Sequence, residues 1–224
     1  PDFARNARLA GLFYLVIIIA GLGAELVLRA RLIDPDDAAS TATAVLEAPF
    51  QFRLAIAADL LMAICDAGIA ILLYLIFRAA APGLALAAMV FRLIQTVLIA
   101  ANLMAMQTAW LLLSSGGEVP DSQALALLFL NLHGYGYDLG LVFFGVNSLI
   151  TGVLIWRSGL FARAFGVGLG AAGLVYLMGS GLRFFAPAMS EMFAPAYGIT
   201  IIAESAFCIR LLTQRGLGSP WSSG

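Results

Sequence analysis

The chain contains no lysine, and all 12 of its basic residues are arginine. A Schiff base to retinal or pyridoxal needs a lysine amine, so both chemistries are excluded. Histidine is nearly absent as well: His133 stands alone. One histidine is too few for the histidine-rich metal sites of membrane hydrolases and desaturases, or for a bis-histidine haem within one chain. The two cysteines, Cys65 and Cys208, fall inside apolar stretches and read as small core hydrophobes rather than a disulfide. Charge is scarce, at 11% of residues against about 25% in a typical soluble domain. A net charge of −1 offers no basic surface for nucleic acid or for anionic headgroups. No Walker loop, nucleophile elbow or His-Glu-x-x-His motif occurs, so the familiar nucleotide, acyl-transfer and zinc signatures are missing.

What is present instead is apolar sequence, 62% of the chain. A soluble fold of this length buries only about 70% of its surface and has no means of hiding that much. The solvent is therefore lipid, where only helices and closed barrels satisfy the backbone. Runs such as Leu12–Ala20 and Ile69–Phe77 are continuously apolar rather than alternating, which points to helices and away from barrel strands. Six stretches reach spanning length: Leu9–Leu28, Leu54–Phe77, Leu84–Leu113, Tyr137–Trp156, Ala164–Phe185 and Pro195–Leu212. The first follows Arg5 and Arg8 as a signal peptide would, but its run is too long and no cleavage site follows it. The fold class expected is all-α, a polytopic transmembrane helical bundle of about six spans, with a short surface helix in the first external loop. Residues 1–215 form one transmembrane domain in this reading and residues 216–224 a flexible polar tail.

The first loop, Ala30–Arg53, is the long one. Asp34-Pro35-Asp36-Asp37 reads as an N-cap with proline at the first helical position, and Pro49 as the stop. That surface helix would turn Val45, Leu46, Phe50 and Phe52 toward lipid or the bundle. Before the fourth span, Asp121 or Ser122 serves as N-cap, and His133-Gly-Tyr-Gly-Tyr-Asp-Leu-Gly140 is expected to bend the chain. The alternative is a single helix of 34 residues reaching Trp156, about 50 Å long. Tyr135, Tyr137, Trp110 and Trp156 read as interface anchors. Gly166, Gly170 and Gly173 read as helix-packing positions. No internal repeat is evident.

Arg5, Arg8, Arg78, Arg157, Arg163, Arg210 and Arg215 fall on one side of six spans, and Arg29, Arg31, Arg53 and Arg183 on the other. That bias places both termini in the cytoplasm of a bacterial inner membrane.

Ionisable groups inside spans cost at least about 2.5 kcal/mol each at the bilayer centre and need a reason. Here they are Glu25, Asp59, Asp66, Arg92, Asp138 and Glu204. Asp59 and Asp66, seven apart, share one helix face, and Arg92, Gln95, Thr96, Ile99, Asn102 and Met106 form one stripe. Both stripes are expected to point inward. At about 1.5 Å of rise per residue, the groups sort into two layers. An outer layer holds Glu25, Asp59 and Asp138 without an obvious cation, and His133 lies near it. An inner layer holds Arg92 between Asp66 and Glu204. Three facing carboxylates at low dielectric cannot all remain charged, so the outer layer reads either as a water-filled vestibule or as a site for a cation, an amine or a metal. Glu25, Asp59, Asp138 and His133 are the weak metal candidates there. The inner layer reads first as a structural ion pair that fixes helix register.

Several blocks taken together resemble a known family. They are Phe13-Tyr14; Asp59-Leu-Leu-Met-Ala-Ile-Cys-Asp66 running on to Tyr74; Phe91-Arg92-Leu-Ile-Gln95; Tyr137-Asp138-Leu-Gly140 running on to Gly145; Leu160-Phe-Ala-Arg163 with Gly166; and Ile202-Ala-Glu204. In order along Arg8–Leu212 they are similar to a bacterial membrane family catalogued as a domain of unknown function, numbered 4386. The resemblance implies a helical bundle of this size and no assigned activity. It draws attention to Arg92, Asp138 and Glu204. Asp59 keeps a carboxylate where the family's second span commonly begins with Glu.

The functional expectation is a small-molecule or lipid-like ligand, bound or transported in an outward-facing polar pocket lined by Glu25, Asp59, Asp66, Arg92, Asp138 and Glu204. A membrane-embedded enzyme and a non-catalytic accessory subunit, joined to a complex through the glycine-rich fifth span, are the alternatives. Lipid is the one partner the composition requires; a homo-oligomer or larger membrane complex is compatible with it, and no cofactor is named by any motif.

Overall fold

A computed structural model describes residues 3–116 and 118–214. The expected tail, residues 216–224, lies outside the described residues. The described residues are 88% helical and contain no strand. Six helical stretches are long and apolar enough to cross a membrane: Phe3–Arg29, Pro49–Phe77, Pro82–Ser114, Ser122–Ser158, Arg163–Phe185 and Pro187–Leu212.

The first span is α1 (Phe3–Leu22), which continues as a π-helical turn over Gly23–Arg29. The surface helix is α2 (Ala38–Glu47). The next four spans are α3 (Pro49–Phe77), α4 (Pro82–Ser114), α5 (Ser122–Ser158) and α6 (Arg163–Phe185). The last combines a short 3-10 turn, α7 (Ser190–Phe193), a second 3-10 turn and α8 (Tyr197–Leu212). Pro49 and Pro82 each open a helix at a first-turn position, where a missing N–H costs nothing. Gly159, with φ of 67°, ends α5 in the left-handed conformation that glycine adopts without strain.

The spanning helices form a closed ring. Each packs against its sequence neighbours, in the order α1, α3, α4, α5, α6, α8, and α8 closes back onto α1. An even number of spans brings both described ends together: Gly11 of α1 lies against Leu211 and Leu212. Hereafter that end is the terminal end, and the one bearing α2 is the loop end.

The outward surface is apolar. Ile19, Ile64, Val97, Met104 and Ile202 are all largely exposed, an arrangement stable only where the surroundings are hydrocarbon. Inside, apolar side chains gather into two clusters. One, at the terminal end, includes Tyr14, Ile69, Phe77, Leu154, Phe161 and Phe207. The other, at the loop end, includes Val45, Phe52, Met106, Leu113 and Leu130. Along α3, α4 and α5 the buried polar residues, apart from Ser158 at the end of α5, fall between these clusters. The ring thus has two greasy plugs and a polar belt between them.

Two local expectations are corrected, the cap of the surface helix and the bend before the fourth span, and a third is sharpened. The cap of the surface helix is Asp37, whose carboxylate accepts from Ser40 N at 2.9 Å. Asp34 instead makes its own turn, accepting from Asp36 N, and its N–H donates to Thr41 Oγ1. Val45 and Phe52 face the bundle, whereas Leu46 and Phe50 face outward. The glycine-rich stretch after His133 does not bend the chain. α5 is one uninterrupted helix of 37 residues, about 55 Å long by its rise, against a hydrocarbon core of about 30 Å. Its glycines are notches: a Cβ on Gly136 would lie 2.2 Å from Asn102 Oδ1, and one on Gly134 2.6 Å from Arg183 Nη2. The alternative of a single long helix is therefore the correct one, and the glycines serve side-chain access rather than turning.

Candidate functional site

Asp59, Asp66, Arg92, Asp138 and Glu204 are buried in the ring, Glu25 is exposed beside Arg29, and no two of the carboxylates are bonded to each other. Glu25 meets a polar partner within its own turn, and each of the others meets one on a neighbouring helix or turn.

At the loop end the partner of Asp59 is Arg29. The i→i+5 turn over Gly23–Arg29, closed by Ala30 N donating to Glu25 O at 3.0 Å, shifts the residues after it by about one position relative to an α-helix. Arg29 is thereby buried against α3, where its Nη1 donates to Asp59 Oδ2. Its Nε and Nη2 both donate to Glu25 Oε2, at 3.0 and 2.8 Å. The carbonyls of Val27 and Leu28 accept from Gln51 Nε2 of α3, which ties the turn to its neighbour. One guanidinium therefore serves two carboxylates in unlike surroundings: the Asp59 side chain is 0% exposed and that of Glu25 is 66% exposed.

His133 of α5 joins from the far side. Its Nε2 lies 3.9 Å from Asp59 Oδ2, too far for a direct hydrogen bond. Asn102 of α4 donates from Nδ2 to His133 O at 2.6 Å and sits 3.1 Å from His133 Nδ1. Nδ1 also lies 3.3 Å from Asn102 O, so the side chain and the backbone carbonyl of Asn102 together hold the ring in place. Tyr137, read from sequence as an interface anchor, points inward, its hydroxyl 3.8 Å from Met62 Sδ. Asp138, one position on, is paired with Arg183 of α6 through Nε at 2.8 Å. Arg183 also lies over the Tyr135 ring, at 5.1 Å.

Deeper in the ring, Arg92 of α4 donates from Nε and Nη2 to Asp66 Oδ1 at 2.9 and 2.6 Å. Gln95 donates to Asp66 Oδ2 at 3.1 Å. The guanidinium lies 5.3 Å from the ring centre of Tyr14 and 4.9 Å from that of Phe144. Glu204 of α8 does not complete a triad. It accepts from Tyr176 Oη of α6 at 2.6 Å.

The belt therefore has two corrections to its expected chemistry. The carboxylates near the loop end do have cations, Arg29 and Arg183. Both arginines sit at span ends, where the sequence sorts them only by side of the membrane, and their side chains reach back to the ring. The Glu25–Arg29 spacing of four was the available signal; nothing in the spacing of Asp138 and Arg183 was. Nor are Glu25, Asp59, Asp138 and His133 drawn into one ligand set. Among the described residues, no group of three or more His, Cys, Asp or Glu side chains is placed to hold a metal.

The loop-end cluster and the deeper one differ in the kind of polar atom left unpaired. The cavity touching Arg92, lined also by Asn147 and Thr151, measures about 10 Å³, the lower bound for a single water. The deep cluster is packed shut. The atoms left unpaired in the deep cluster, Gln95 Oε1 and Thr151 Oγ1, are neutral, whereas in the loop-end cluster the buried atom with no hydrogen-bond partner is a carboxylate oxygen, Asp59 Oδ1. An unsatisfied buried polar atom costs roughly 1–3 kcal/mol and asks for an explanation.

The model of one family matches residues 9–214: Domain of unknown function (DUF4386). No curated protein and no solved structure matches the chain.

Proposed function

The chain belongs to the DUF4386 family, which carries no activity to transfer, and from the geometry we propose that it binds, or carries across the bilayer, a small molecule or lipid-like ligand at the loop end of the polar belt. The observation that carries this reading is Asp59: fully buried, held by Arg29 through one oxygen, and unpartnered at the other. A buried carboxylate kept for stability alone would have both oxygens satisfied, as Asp66 does.

Glu25, Asp59 and Asp138 with their arginines form the ligand-facing set in this reading. Asp66 and Arg92 form the floor that holds α3 and α4 in register, and Glu204 with Tyr176 ties α8 to α6. The arginine bias supports a bacterial cytoplasmic membrane with the termini inside and the loop end outside.

The test is analysis of the protein purified gently into lipid nanodiscs, by mass spectrometry of an organic extract. A stoichiometric compound in the wild type that is lost from Asp59→Asn supports the reading. The same bulk lipids in both, with no enriched compound, overturn it.

A further inference from the structure

The binding reading says where a ligand sits; the charge pattern at that site says what it is. Resting on that reading, we propose that the loop-end cluster receives an organic cation, a molecule bearing an ammonium or guanidinium group, which takes the place of Arg29 at Asp59.

Charge balance comes first. Glu25 and Asp59 share the single guanidinium of Arg29, so the trio carries one carboxylate more than it has cations. An anion approaching it meets repulsion. A neutral ligand that moved Arg29 aside would strand Asp59 as an unpaired charge in a dry interior. A cation that takes Asp59 while Arg29 keeps Glu25 gives each carboxylate a cation of its own and brings the trio to balance.

Geometry agrees. Arg29 is a cation on a tether, carried by a π-helical turn, the rare backbone form that tends to accompany functional sites. It links an exposed carboxylate, Glu25, to a buried one, Asp59. An incoming cation therefore meets Glu25 first and Asp59 second, along a path the arginine side chain already occupies. At the inner end Asp59 Oδ1 has an acceptor position that Arg29 does not fill. An ammonium or guanidinium group has donors enough to engage both oxygens. A bare metal ion is the poorer fit, because no set of three ligand side chains assembles among the described residues.

The test uses three probes of one size and different charge: n-butylammonium, n-butanol and n-butyrate. Each is titrated against nanodisc-embedded protein at constant ionic strength, with thermal unfolding as the readout. n-Butylammonium is expected to raise the melting temperature of the wild type. Its half-effect concentration should fall about tenfold in Arg29→Ala, where the tethered competitor is gone. It should rise in Glu25→Gln, and the response should vanish in Asp59→Asn. If Arg29→Ala does not fold, the wild type and Glu25→Gln carry the test. An equal n-butylammonium response in wild type and Asp59→Asn overturns the proposal. A response to butanol or butyrate alone, dependent on Asp59, overturns the cation assignment and leaves the binding reading standing. No response to any probe overturns the cation assignment too, and the organic-extract analysis then decides the binding reading separately.

Discussion

Arg92 is among the largest side chains in the protein with almost no exposure, and it has carboxylate, amide and aromatic neighbours on every side. Removing one member of a buried ion pair typically costs about 3–5 kcal/mol, because the partner is left charged and dry. Arg92→Leu is therefore expected to lower the thermal stability of the nanodisc-embedded protein sharply. Asp66→Asn in the same background should restore much of it, since no lone charge remains. Additive losses in that double-mutant cycle would show that the two side chains are not coupled. At this scale the sequence was legible wherever position implied depth. In the stripe of Arg92, Gln95, Thr96, Ile99, Asn102 and Met106, all but the half-buried Asn102 are buried, and Asn102 reaches His133. Arg29 and Arg183 were not legible, because an arginine side chain is long enough to reach back several ångströms from the end of its helix.

Glycine explains how the elements approach closely enough for such pairing. α5 and α6 run antiparallel with two reciprocal contacts. A Cβ on Gly152 would lie 2.6 Å from Gly166 O, and one on Gly166 2.7 Å from Gly152 O; Gly145 and Gly173 repeat the arrangement seven residues away. Small residues at such crossings let backbones touch. Gly166→Leu should accordingly destabilise the fold by several kcal/mol, comparable with severe overpacking, whereas Gly170→Ala, whose Cβ meets nothing within 4 Å, should be nearly silent in the same melting assay. Gly166 and Gly173 were legible as packing positions, but not their partner: their faces are spent on α5, within the chain. The glycines of α5 show a limit of local rules. A cluster that favours a bend in water stays helical where lipid leaves the backbone no other hydrogen-bond partners, and the space it leaves is taken by Asn102 and Arg183.

For the whole molecule, apolar length alone was enough to count six spans, because hydrocarbon thickness sets a ruler that the chain must match. The order of helices around the ring was not readable, since packing in lipid depends on shape and hydrogen bonding rather than on hydrophobic pattern. The central claim is that six crossings place the ligand-facing cluster beneath the face that carries α2, opposite the one that carries the termini. Single cysteines at Ser40, Glu25 and Arg78, in a chain whose buried Cys65 and Cys208 are replaced by alanine, report on it directly through a membrane-impermeant maleimide applied to either side of sealed, oriented vesicles. Ser40→Cys and Glu25→Cys are expected to be labelled from one side and Arg78→Cys from the other. Labelling of Glu25→Cys from the Arg78 side, or from neither, would contradict it.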